Sequence, residues 1–225
     1  MFDGRDNCRR RAARRKRSYR GFGRAMNRGG SIRLALMIGV ALLAVGCDSP
    51  SVHDAMTAYQ KGDFATAVSL FQPLAEDGDP VAQVDLGLMY NNGQGVTRDY
   101  EQAVKWYRLA AEQGNADGQA ALGTMYDNGH GVAQDDKEAV KWYRRAAQQG
   151  VVVAQYNLGV MHKNGRGVAQ DTKRAYMWFN FAAAKGQQGA SEKRDEAAEK
   201  LTPAEIAEAG ALARKCEGSG FKDCD

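Results

Sequence analysis

The 225-residue sequence reads as an all-α solenoid, a row of stacked helix pairs rather than a chain folded round one centre. Three observations lead there. Gly87, Gly123 and Gly159 recur at a step of 36 residues, and the same step relates Gln83, Gln119 and Gln155, then Trp106, Trp142 and Trp178. Each unit carries two stretches whose apolar residues return every three or four positions, as in paired amphipathic helices. Between the two stands a glycine-rich turn such as Asn92-Gly93-Gln94-Gly95.

Residues 1–46 hold 12 basic and 2 acidic side chains. From Cys47 onward there are 19 basic and 25 acidic residues, a net charge of −6 although the whole chain carries +4. A body of that sign repels phosphate backbones, which argues against nucleic acid as a partner. After Arg28 and Arg33 comes an apolar run, residues 34–46, whose 13 residues are too few to cross a bilayer core as a helix. The run has the length of a signal-peptide core and ends Leu43-Ala44-Val45-Gly46-Cys47, which resembles the lipobox of bacterial lipoproteins. That resemblance implies cleavage before Cys47, diacylglycerol on its thiol and acylation of the new amine, and several acyl chains together hold a protein stably on a membrane. An ordinary secretory signal or an uncleaved short anchor is the alternative. The Arg-rich residues 1–25 are an extended n-region, or translation starts at Met26. Asp48 matches the residue that retains lipoproteins in the inner membrane of enteric bacteria. The expected location is therefore the bacterial cell envelope, lipid-anchored and facing the periplasm, with the inner membrane favoured over the outer.

Residues 47–52 form an anchor linker, and 53–80 read as a degenerate first helix pair. There Tyr59-Gln60-Lys61-Gly62-Asp63-Phe64 turns tightly, and Ala67, Phe71 and Ala75 fall in the columns of later second helices. Residues 81–188 are three full units, of which 81–116 and 117–152 agree at about 20 of 36 positions. At 100° per residue, Ala82, Gln83, Met89 and Tyr90 lie within about 60° of Leu86 and form the buried stripe of a first helix. The spacings of Asp99 with Gln102 and Asp135 with Glu138 suit a capping box opening the second helix. In that helix Ala103, Trp106, Tyr107, Ala110 and Ala111 recur at helical steps, and Gly114, Gly150 and Gly186 stand at its C-terminal end. Small residues let backbones approach while Trp106 and Tyr107 fill the spaces between hairpins. The third unit departs from the pattern with His162 in the tyrosine slot and Arg174 in place of the capping acid. Residues 189–225 supply a C-terminal cap: a charged helix near 190–200, then one over 203–215 opened by Thr202-Pro203-Ala204-Glu205. Cys216 and Cys224 are expected to form a disulfide that ties down the tail, with a redox or metal pair as the alternative.

The pattern Ala-x-x-x-Leu-Gly-x-Met-Tyr-x-x-Gly-x-Gly-Val-x-x-Asp-x-x-x-Ala-x-x-Trp-Tyr-x-x-Ala-Ala-x-x-Gly resembles the Sel-1-like repeat, a relative of the tetratricopeptide repeat, over residues 81–188. The resemblance implies a right-handed α-α superhelix whose first helices line the concave surface. On those helices Val84, Leu88 and Asn91 lie opposite the buried stripe, with counterparts Ala120, Thr124 and Asp127, then Tyr156, Val160 and Lys163. Asp85, Ala121 and Asn157 flank that strip, which is the expected partner-binding groove. In the rival reading Leu88 and Val160 pack against the adjoining helix and the groove shrinks.

No catalytic constellation accompanies the repeats. His53, His130 and His162 are scattered, without the i,i+4 spacing of a helical zinc site, and no nucleophile elbow or phosphate loop is present. No catalytic residue, metal or cofactor is expected. The glycine turns recur in every unit, so folding accounts for them better than one active site does. The function read from these residues is a non-enzymatic periplasmic lipoprotein adaptor that holds a protein or peptide partner in its groove, with the membrane reached through the lipid anchor. A cell-wall fragment or β-lactam binding protein or hydrolase is the alternative, because some cysteine-rich members of the family are associated with penicillin binding. Those members staple each repeat with a disulfide, whereas residues 81–188 contain no cysteine. A stress or secretion regulator using the same groove is a third possibility.

Overall fold

The computed structural model describes residues 51–222 and 224, so Cys47, Asp48 and the segment assigned to export lie outside the described residues. Those residues form ten α-helices and no strand: α1 (Val52–Gln60), α2 (Phe64–Glu76), α3 (Pro80–Asn92), α4 (Tyr100–Glu112), α5 (Ala116–Asn128), α6 (Asp136–Gln148), α7 (Val152–Asn164), α8 (Thr172–Ala184), α9 (Ala190–Ala198) and α10 (Pro203–Gly218). From α1 to α9 each helix packs on the next, and α10 folds back onto α8. The result is an all-α solenoid in which α3–α4, α5–α6 and α7–α8 are the three full units.

Local chemistry sets the ends of these helices. Asp79, before Pro80, accepts hydrogen bonds at 2.9 Å from the amides of Val81 and Ala82, which fixes the start of α3. Two-sided capping boxes occur at Ser51 with Asp54 and at Thr202 with Glu205. The boxes expected at Asp99 and Asp135 are one-sided. Asp99 accepts from the Gln102 amide and Asp135 from those of Lys137 and Glu138, while the Glu138 carboxylate turns instead to Lys141, 2.9 Å away. Arg174 has replaced an acid in the third unit, and it pairs with the capping residue Asp171 itself.

The second glycine of each turn joins one unit to the previous one. Gly95 has φ +71°, and a Cβ there would stand 2.4 Å from the Phe64 carbonyl oxygen. Gly131 and Gly167 meet the Tyr100 and Asp136 carbonyls in the same way, at 2.3 and 2.2 Å. A side chain at these positions would both strain the backbone and push the stack apart. Gly87, Gly123 and Gly159 answer a second close approach, since each lies under the ring of Tyr107, Tyr143 or Phe179.

The core is a seam along the stack. Trp106, Trp142 and Trp178 are buried with the alanine pairs of the second helices and with Leu86, Leu122 and Leu158 of the first. A polar ladder runs beside it. Gln83 and Gln119 donate to the carbonyls of Ala75 and Ala111, and each side-chain oxygen accepts at 2.8 Å from Gln113 or Gln149. In the third unit Lys185 stands where Gln149 stood and reaches the Gly150 carbonyl, leaving buried Gln155 Oε1 without a hydrogen-bond partner among the described residues. Cys216 and Cys224 form a disulfide, and both are buried in the core cluster that takes in residues of α6, α7 and α8, with Phe221 edge-on to Phe181.

Candidate partner-binding strip

Along the first helices the strip is continuous but unevenly open. In the first unit Leu88 is 36% exposed, Val84, Asp85 and Asn91 are half-buried, and Val81, one turn before Asp85, is 45% exposed. Leu88 therefore stays open to solvent, against the rival reading in which it packs on a neighbour. Val153, in the same repeat position as Val81, is also 45% exposed. Three of the four exposed large apolar side chains among the described residues thus stand on the first helices, Leu109 being the exception. Val81 and Val153 extend the strip beyond the residues expected from the sequence, and at 100° per residue they fall on the same side as Val84 and Leu88.

The second unit is more committed to the fold. Ala120 is 6% exposed and belongs to the core that includes Tyr143 and Leu158, so its assignment to the groove is corrected: its small side chain lies where α7 and α6 close over α5. Thr124 is exposed and accepts from the Tyr143 hydroxyl at 3.2 Å. Burial pushes the Tyr143 phenol up to about 12, which keeps it a neutral donor. Asp127 pairs with Arg166 at 2.6 Å, and the same guanidinium binds Asp136, so this carboxylate links the third turn to the second unit.

In the third unit the strip runs into the C-terminal cap. Tyr156 tilts against Phe179 with 5.5 Å between ring centres, and Asn157 acts on the Tyr143 phenol from across the unit boundary. Val160 is half-buried. The Lys163 ammonium is 2.6 Å from Glu196 of α9, which Lys193 also binds. These two cations hold the Glu196 carboxyl down to about 2. Lys163 therefore serves the cap, and the open part of the strip is its first-unit end.

Asp85 is the electrostatic exception there. Burial raises its carboxyl to about 6, and the negative charges of Asp117 and Asp79 add to the shift. Its Oδ2 is buried with no hydrogen-bond partner among the described residues.

Two clefts lie elsewhere. One, of about 350 Å³, opens between α4 and the Gly131-Val132 turn, and one of about 270 Å³ surrounds His162 and Arg174. Both are at the lower end of the size range of small-molecule sites or below it. Among the described residues no cluster of three or more histidine, cysteine or carboxylate side chains could hold a metal ion.

Stacked hairpins with a shared seam and a partly apolar first-helix face define a helical-repeat scaffold, a class that works by holding other proteins. The sequence profile of the Sel1 repeat matches residues 80–115, 116–151 and 152–187, and the chain is a Sel1-repeat protein. It is similar to the crystal structure of a Sel1 repeat protein from Oxalobacter formigenes, with 33% identity over 64% of this chain and 57% of that one, and a TM-score of 0.60. It is also similar to c5321, a protective antigen present in uropathogenic Escherichia coli strains that displays an SLR fold, with 29% identity over 78% of this chain and 43% of that one, and a TM-score of 0.58. The chain thus spans about half the length of these two relatives. No curated protein aligns significantly with it. Sel1-repeat proteins are typically non-catalytic scaffolds that mediate protein–protein interactions.

Proposed function

We propose that the chain is a non-enzymatic adaptor, lipid-anchored at Cys47 on the periplasmic side of the bacterial envelope, that holds a protein or peptide partner on its first-helix strip. One observation carries the reading. The positions shared by every unit are consumed by packing, capping and the inter-unit glycine contacts, while Val81, Leu88 and Val153 stand exposed on one side of the stack. Apolar groups left open on a rigid scaffold are the means by which such surfaces gain affinity. Ser51, which caps α1, follows Cys47 by four residues. At ~3.5 Å per residue, so short a connection spans at most about 14 Å.

The test has two parts. Cells fed a labelled fatty acid should mark the wild-type chain and not Cys47→Ala. A photo-crosslinking amino acid placed at Leu88 or Thr124 should give discrete adducts in living cells, and one at the exposed second-helix position Lys105 should not. Unlabelled protein rules out the anchor, and adducts no stronger from the strip than from Lys105 rule out the groove. Nothing in the site favours the reading as a cell-wall fragment or β-lactam binder, and turnover of a chromogenic β-lactam by the purified protein would revive it.

A further inference from the structure

We propose that the first-unit end of the strip takes a basic side chain, the lysine or arginine of a partner polypeptide, against Asp85, with apolar residues of that partner on Val81, Val84 and Leu88. The inference rests on the strip being the docking surface and adds what its occupant must carry.

Asp85 lies four residues after Val81 and three before Leu88 on α3, so all three share one face. Its Oδ2 is buried without a hydrogen-bond partner among the described residues, an arrangement that disfavours the charged form. The charges that act on it are both negative. Asp79 caps α3, where the Val81 and Ala82 amides hold its carboxylate, and Asp117 stands exposed in the first turn of α5. Packing of the repeat does not require an acid here, since Ala121 and Asn157 fill the same position in the next two units.

Charges elsewhere on the strip are matched from within the chain: Asp127 by Arg166 and Lys163 by Glu196. Asp85 has no such cation among the groups that shift it. Burial already raises its proton affinity, so at neutral pH the ionised carboxylate is held at a cost that an incoming ammonium or guanidinium removes. Either group can reach the carboxylate at its other oxygen, which is not enclosed, and from there offsets the field of Asp79 and Asp117. An acidic partner would meet three carboxylates. The apolar neighbours set the flanks, because Val81 and Leu88 bury most when they meet apolar rather than polar groups.

Short end-blocked peptides carrying one lysine between leucines provide the probe, with controls in which norleucine or glutamate replaces the lysine. Fluorescence anisotropy against the purified protein should show saturable binding of the lysine peptide. The norleucine peptide should bind about tenfold more weakly or worse, and the glutamate peptide should not saturate. Asp85→Asn should erase the preference for lysine over norleucine. This variant keeps the side-chain shape, places at 85 the residue found at Asn157, and is expected to be at least as stable as wild type, so lost binding will not reflect unfolding. Equal affinity for the lysine and norleucine peptides, a lysine preference that survives in Asp85→Asn, or no saturable binding of any peptide overturns the inference. Strip-specific crosslinking with no lysine preference leaves the adaptor reading intact and removes only the basic anchor, whereas failure of both removes the docking surface itself.

Discussion

Replacing Asp85 by asparagine should stabilise the protein at neutral pH and leave it unchanged in acid. Its carboxyl is raised from 3.8 to about 6, and burial is the largest cause. A shift of about two units corresponds to roughly 3 kcal/mol for a fully enclosed group. Asp85 is only half-buried, and solvent screening reduces this to about 1–2 kcal/mol. The sign follows from linkage: the folded chain binds this proton more tightly than the unfolded chain does. The stability it confers is therefore complete below the unfolded value of 3.8 and lost as pH rises through about 6. Asparagine removes the titration. Thermal unfolding followed by circular dichroism should give nearly equal midpoints at pH 3.5, outside other effects common to both proteins. At pH 7.5 the variant should melt about 2–8 °C higher, at roughly 2–4 °C per kcal/mol for a domain of this size. A difference that does not depend on pH, or a variant less stable at pH 7.5, would mean that Asp85 already has a compensating partner and would undo the reasoning.

Three further substitutions probe the stack. Gly131→Ala forces a Cβ to within 2.3 Å of the Tyr100 carbonyl oxygen at φ +68°, and should cost about 3 kcal/mol or more in chemical denaturation; a loss below about 1 kcal/mol would show that units are not held together there. Gln119→Met breaks two ladder bonds and should cost about 1–3 kcal/mol, whereas Gln155→Met removes an oxygen that has no partner and should cost distinctly less; equal losses would contradict the ladder. Replacing Cys216 and Cys224 by serine opens a loop whose cysteines are eight residues apart, worth about 2.5 kcal/mol by loop closure, and an unchanged melting midpoint would show that the tail needs no tie.

Much of this fold is legible in the sequence because each unit repeats its physical requirements at a fixed step. The Trp106 column, the glycine turns and the helix-opening aspartates announce two helices and a turn three times over. The purpose of Gly95 and its counterparts is less visible, since the carbonyl that excludes a side chain there belongs to Phe64, in the preceding pair. The capping boxes at Asp99 and Asp135 looked complete by spacing, yet Glu138 finds Lys141 on its own helix face and leaves the box half-made. The strip shows the same division. Helical angles find its members, but Ala120 is covered by tertiary neighbours and Lys163 is claimed by Glu196, 33 residues further on. What distinguishes Asp85 from Asp127 is likewise absent from local sequence: Arg166 reaches one of them from the next turn and not the other.

The face of the stack that recognises the partner can be read directly by methyl NMR. Valine and leucine methyls of the purified protein would be followed while the partner segment identified by crosslinking is added. Shifts concentrated at Val81, Val84, Leu88 and Val153, with Val104, Leu109 and Val132 unmoved, are the predicted result. Shifts confined to Val104, Leu109 and Val132, which line the cleft beside α4, would place recognition away from the first-helix strip and contradict the account.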